Sequence, residues 1–107
     1  KIMKVTESAA KQILLQANQN DARHLGLRVA ARRMADGGID YAFGFDEPHE
    51  ADASYEKFGA TILIAPTSAD LLDKATLDYI ELEEGGRQFV IHNPLDPNYV
   101  APEEPTK

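Results

Sequence analysis

Two kinds of hydrophobic pattern alternate along this chain. Ala9, Ala10, Ile13, Leu14 and Ala17 recur at the spacing of one face of an α-helix, which predicts an amphipathic helix over about Glu7 to Asn18. Thr6 stands where an N-cap is needed, and Glu7 places a negative charge in the first turn, where the helix dipole favours it. From Leu27 the period changes to two. Leu27, Val29 and Ala31 alternate with Arg28, Ala30 and Arg32, and Ile39, Tyr41, Phe43 and Phe45 alternate with Asp40, Ala42 and Gly44. These are half-buried strands, and Asp36-Gly37-Gly38 between them has the turn chemistry of a hairpin connection.

The flanking segments fit a small mixed domain. Ile2 to Val5 reads as a short strand, and Tyr55 to Phe58 and Ala60 to Ala65 as two more around Gly59. Thr61 to Ile64 has no polar face and is expected to be a central, covered strand. Thr67 followed by Asp70 approximates a capping box for a short helix over Ser68 to Lys74 that buries Leu71 and Leu72. Thr76 to Leu82 is a strand whose apolar residues break strict alternation, which predicts a bulge or cover on both faces. Glu83 to Gly86 turns the chain into a last strand, Arg87 to His92. Asp46 to Asp52 reads as an exposed polar loop. From Asn93 onward four of the six prolines occur among Asp, Glu and Asn, which predicts a flexible acidic tail over residues 93–107, at most pinned by Tyr99 and Val100.

Composition narrows the chemistry. The 107 residues suffice for one core, and none is cysteine, so disulfides, thiolate catalysis and cysteine-ligated zinc or iron–sulfur sites are excluded. His24, His49 and His92 have no metal-ligand spacing, the carboxylates around His49 lack the EF-hand pattern, and the serines and paired glycines lack nucleophile-elbow or phosphate-loop context. We therefore expect no enzyme activity and no cofactor. No apolar run approaches a membrane span and the first residues do not read as a signal peptide, so no membrane partner and a cytoplasmic location are expected. The net charge of −7 is uneven: residues 1–33 carry seven Lys and Arg against two Asp and Glu. An acidic chain collects phosphates poorly, so nucleic acid is disfavoured as a partner, although Arg23, Arg28, Arg32 and Arg33 form a locally basic stretch, most simply read as solvated arginines flanking strands.

The stretch Leu27 to Phe45 resembles the HesB/IscA family, the A-type carriers of iron–sulfur cluster assembly. That family runs Leu-Arg-Val, a few residues, Gly-Cys-Ser-Gly, then a Tyr and a Phe; Leu27, Arg28, Val29, Gly38, Tyr41 and Phe45 fall at matching spacing. Thr6 to Ala10, Leu77-Asp78-Tyr79 and Phe89 to Pro94 extend the resemblance over nearly the whole chain. Asp36 occupies the position of the family's ligand cysteine and Gly37 that of its serine. The family's closing Cys-Gly-Cys would fall at about Val100 and Pro102. With all three thiolates replaced, the chain is similar to the cysteine-free DsrR-like proteins associated with dissimilatory sulfur oxidation. Residues 38–46, 75–86 and 93–99 carry that similarity.

The resemblance implies an α+β, β-rich HesB/IscA-like domain over residues 1–92, with an N-terminal amphipathic helix and one short second helix. It implies a regulatory or accessory role in sulfur metabolism in place of cluster delivery. The expected interaction surface is Arg28, Arg32, Arg33, Asp36 and Asp40, with a protein as partner and the chain itself a monomer or weak homodimer. Two alternatives accompany it. One is an iron or iron–sulfur carrier with oxygen and nitrogen ligands, for which Asp36 and His92 are the candidates; the other is an RNA-binding regulator. The simpler role for Asp36 is a turn residue that hydrogen-bonds its own backbone.

Overall fold

The structure is a computed structural model and describes residues 2–97. The chain order is β1 (Lys4–Val5), α1 (Glu7–Gln19), β2 (Gly26–Arg33), β3 (Ile39–Asp46), β4 (Ala53–Lys57), β5 (Ala60–Ile64), α2 (Pro66–Leu72), β6 (Thr76–Glu81) and β7 (Arg87–His92). The strands form a four-stranded sheet in the order β3-β2-β5-β4 and a three-stranded sheet in the order β1-β6-β7. This is the expected α+β architecture. The tail positions Tyr99, Val100 and Pro102 lie outside the described residues.

One core joins both sheets and α1. Val5 and Leu77 from the small sheet meet Leu27, Val29, Ile62 and Ile64 from the large one, and Ala9, Ala10 and Ile13 pack the helix onto them. Small alanines let the helix backbone approach the sheets closely. Thr6 caps α1 as expected, its hydroxyl accepting the Ala9 N–H at 3.1 Å and donating to Asp78 at 2.8 Å. Leu14 departs from the expected apolar face: it is 43% exposed, because the sheet beneath it ends at Gly59.

The parallel pairing of β2 with β5 sets the layout, with Leu27 opposite Ile62 and Arg28 opposite Leu63. It requires glycine at position 26, where a Cβ would stand 2.8 Å from the Leu63 side chain. β5 is the covered central strand expected: Ala60, Ile62, Leu63 and Ile64 are all buried. Because β2 and β5 run the same way, the β2–β3 turn and the β4–β5 turn lie at opposite ends of the sheet.

Two local expectations need correction, and between them the structure decides one open alternative in favour of cover on both faces. α2 begins at Pro66, with Ala65 as N-cap and no side-chain cap, so Thr67 lies inside the helix; proline's fixed φ and absent N–H start the helix without help. Strand β6 has no bulge. Its register with β7 is unbroken from Thr76–His92 to Glu81–Arg87, and its irregular pattern reflects partial cover on both faces. The Asp46 to Asp52 segment is not simply an exposed loop. Arg28, whose side chain is 18% exposed, donates from Nε to Asp46 at 2.7 Å and from both terminal nitrogens to Asp52 at 2.8 and 2.7 Å; its terminal nitrogen also reaches the Glu47 carbonyl at 3.1 Å. The Asp52 side chain is 2% exposed and also accepts the His49 N–H. Such forked pairing fixes geometry as well as charge. Arg28 is thus not a solvated strand arginine: it ties the β3–β4 connection onto the sheet face that carries Leu63.

The Arg28 guanidinium, followed by the His49 N–H, holds the Asp52 carboxyl far below the usual carboxylate range, and Arg28 likewise lowers Asp46. A folded-state pKa below the unfolded value of about 3.9 stabilises the fold above that pH, and the contribution is lost as pH falls from about 4 toward the folded values. Urea unfolding midpoints measured from pH 7 down to pH 2 are therefore expected to fall below about pH 4. Asp52→Asn should lower the midpoint at pH 7 and flatten this acid limb; an unchanged acid limb would contradict the assignment.

Candidate functional site

The hairpin tip is built by the register of its strands. β2 and β3 pair from Gly26–Asp46 to Arg33–Ile39, which leaves Met34 to Gly38 as the connection. The Met34 N–H donates to the Gly38 carbonyl at 2.7 Å and the Gly37 N–H to the Met34 carbonyl at 2.9 Å. Gly37 has φ of 91°, a conformation that glycine adopts without a Cβ penalty. Leu82 and Gly86 close the β6–β7 turn with the same pair of bonds, and Gly85 there has φ of 92°.

Within this frame Asp36 accepts the Gly38 N–H on Oδ1 at 2.9 Å, the self-contained turn bond expected of an Asp-Gly sequence. Arg33 donates to the Gly37 carbonyl at 2.8 Å, and Arg32 lies 3.4 Å from Asp40 across the ladder, with both side chains well exposed. A surface pair of this kind contributes little stability. Arg32, Arg33, Asp36 and Asp40 are therefore gathered at one exposed tip beside Met34, which is 40% exposed. Arg28 is not among them. It lies four residues back along β2, roughly 13 Å at strand rise, and its charge is met by Asp46 and Asp52.

Behind the tip is a polar network that sequence reasoning did not single out. Asn93 is fully buried; its amide donates to the Tyr41 hydroxyl at 3.1 Å and to the Leu71 carbonyl at 2.7 Å, and its Oδ1 accepts the Leu95 N–H. The Tyr41 hydroxyl also lies 3.3 Å from an Asp96 carboxylate oxygen. Burial first, and the negative Asp96, raise the Tyr41 hydroxyl above its ordinary pKa, against the opposing Asn93 amide and Arg33 charge. The segment after β7 is thus anchored to β3 and α2 at Asn93. The available signal was Asn93-Pro94, a turn opening whose side chain has to find partners if buried. Ser68 is likewise occupied, accepting the Ala31 N–H at 3.0 Å and donating to its carbonyl.

No three His, Cys, Asp or Glu side chains among the described residues are grouped to hold a metal ion. The donors also fit a thiolate-held cluster poorly, since cysteine is absent and the Asp36 carboxylate is engaged in its own turn.

No family model matches the sequence. An iron–sulfur cluster insertion protein ErpA from Alkalilimnicola ehrlichii is 41% identical over 91 residues, spanning 84% of this chain and 74% of the relative. The chain belongs to the HesB/IscA family. The crystal structure of Escherichia coli SufA, described as involved in biosynthesis of iron–sulfur clusters, shares the fold with a TM-score of 0.74 at 21% identity, over 92% of this chain and 86% of SufA. A crystal structure of IscA with the [2Fe-2S] cluster gives 0.68 at 28% identity, over 87% and 86% of the two chains. The HesB/IscA scaffold is present here without a cysteine at the tip.

Asn93→Ala should cost about 2–3 kcal/mol of unfolding free energy, since it removes the donor to the Leu71 carbonyl and to the Tyr41 hydroxyl, which keeps only Asp96, and the acceptor of the Leu95 N–H. Tyr41→Phe should cost about 1 kcal/mol, because the ring is kept. Chemical denaturation of the two variants checks the order.

Proposed function

We propose that this chain is a non-enzymatic regulatory or accessory protein that keeps the HesB/IscA scaffold and uses the hairpin tip to bind a protein partner. The observation that carries this reading is the state of Asp36. The residue at the family's ligand position is exposed, points back into its own turn and is flanked by Arg32, Arg33 and Asp40, a charged display suited to partner discrimination. The resemblance to DsrR-like proteins supports a place in dissimilatory sulfur oxidation. The acidic balance of the chain favours a protein over RNA, and the neutralisation of Arg28 by two aspartates removes one cation from the basic stretch.

Two measurements test this. Anaerobic incubation with iron and sulfide is expected to leave the protein colourless; stoichiometric visible absorbance that is lost in Asp36→Ala would support a carrier with oxygen and nitrogen ligands instead. Pulldown with and without nuclease is expected to recover a nuclease-insensitive protein, lost when the charges at Arg32, Arg33, Asp36 and Asp40 are reversed. Partners unaffected by that reversal would remove the tip from consideration. Recovery of RNA, with binding that weakens steeply as salt rises, would support the nucleic-acid alternative.

A further inference from the structure

At the far end of the large sheet, β4 and β5 are joined by the two residues Phe58 and Gly59, with Lys57 paired to Ala60. Both linking residues have positive φ, 49° at Phe58 and 88° at Gly59. This is the backbone of a type I′ turn, whose first position favours Asn, Asp or Gly. A bulky aromatic residue in the left-handed region is strained, and burial does not compensate Phe58, which is 58% exposed. A residue that is unfavourable for the backbone and left in water is explained by neither folding nor packing.

Its surroundings suggest what it does. Beside the turn an open groove of about 200 Å³ is lined by Ile13, Leu14 and Ala17 of α1 together with Leu25, Phe45 and Arg23. Leu14, 43% exposed, comes within 3.6 Å of the Cβ position of Gly59, so helix and turn form one apolar lip. The groove is smaller than the ~300 Å³ at which small-molecule pockets begin, and suits a single anchoring side chain. The one charge in its lining is positive. Arg23 lines it, and Lys57, opposite the core-facing Ala60 in the hairpin, projects from the same face, whereas Glu56 projects from the other. Neither Arg23 nor Lys57 has an ion-pair partner among the described residues.

We propose that this groove binds a short segment of a partner protein carrying one large apolar side chain flanked by carboxylates. The apolar side chain enters between α1 and the β4–β5 turn, Phe58 closes over it, and Arg23 and Lys57 meet the flanking charges. This surface lies at the opposite end of the sheet from the hairpin tip and stands independently of it.

The test is selection of a displayed library of short random peptides against the full chain, with affinities of the recovered synthetic peptides measured by fluorescence anisotropy. Enriched peptides should carry an aromatic or large aliphatic residue next to Asp or Glu. Binding should weaken about tenfold or more in Phe58→Asn and in Arg23→Glu, the size of effect typical of an anchoring contact. Reversal of Arg32 and Asp40 at the tip should leave it unchanged. Phe58→Asn, which places a favoured residue in the turn, should melt at or above the temperature of the parent protein. A lower melting temperature would show that Phe58 is structural and overturn the proposal. So would the absence of enrichment, enriched peptides without the acidic and apolar pattern, or binding indifferent to both variants. Self-association in sedimentation that disappears in Phe58→Asn would assign the groove to a second copy of this chain and overturn it equally.

Discussion

The parallel pairing of β2 with β5 is the constraint on which the remaining structure depends. It brings Leu27 beside Ile62 over one core and forbids any side chain at Gly26, where Leu63 occupies the space. It also fixes direction. β2 ends at the Met34–Gly38 connection and β5 begins at the Phe58–Gly59 turn, so the two exposed turns of the large sheet are held apart by its length. Each can change without disturbing the other, because the apolar residues that hold β2 and β5 together lie between them.

The two faces of the large sheet are secured differently. One is covered by α1 and shares its core with the small sheet, so its stability comes from apolar burial through Val29, Ile62, Ala9 and Ala10. The other carries Arg28, which gathers Asp46, the Glu47 carbonyl and the nearly buried Asp52. A mostly buried guanidinium needs its donors met, and the aspartates need the guanidinium, so the connection between β3 and β4 is specified by charge where it has few apolar residues to pack. At the other end of β3, Asn93 does comparable work with neutral hydrogen bonds, holding the start of the tail against Tyr41 and Leu71.

These supports explain how the family scaffold persists without its thiolates. Hairpin closure relies on backbone bonds between Met34, Gly37 and Gly38, with Asp36 contributing through its own carboxylate, and none of these requires a metal. The cysteine position is thus structurally replaceable by a turn-forming residue. What changes is the tip's chemistry: a soft thiolate gives way to a hard, hydrogen-bonded carboxylate among exposed charges of both signs. The ErpA relative and the SufA and IscA structures share the frame, and the tip of this chain carries Asp36 and no cysteine.

Local information in the sequence was enough for the elements: the helical spacing from Ala9 to Ala17, the alternation on both sides of Asp36-Gly37-Gly38, the unbroken apolar run of β5 and the Thr6 cap all reflect interactions within one element or between its neighbours. The absence of cysteine settled by itself that no thiolate chemistry is available, and the role of Asp36 as a turn residue was readable because its hydrogen bond spans two residues. Other features depend on which distant segments meet. Arg28 looked like a solvated strand arginine because its partners lie 18 and 24 residues away, in a segment whose polarity reads as loop. Asn93 reads as the start of a tail until Tyr41 and Leu71 are brought against it. Leu14 belongs to the apolar face of α1 by spacing, yet it stays exposed because the turn at Phe58 and Gly59 ends the sheet beneath it. Periodicity records which face of an element is apolar; how far that face is covered is decided by the length and placement of what packs against it, and only the tertiary structure fixes that.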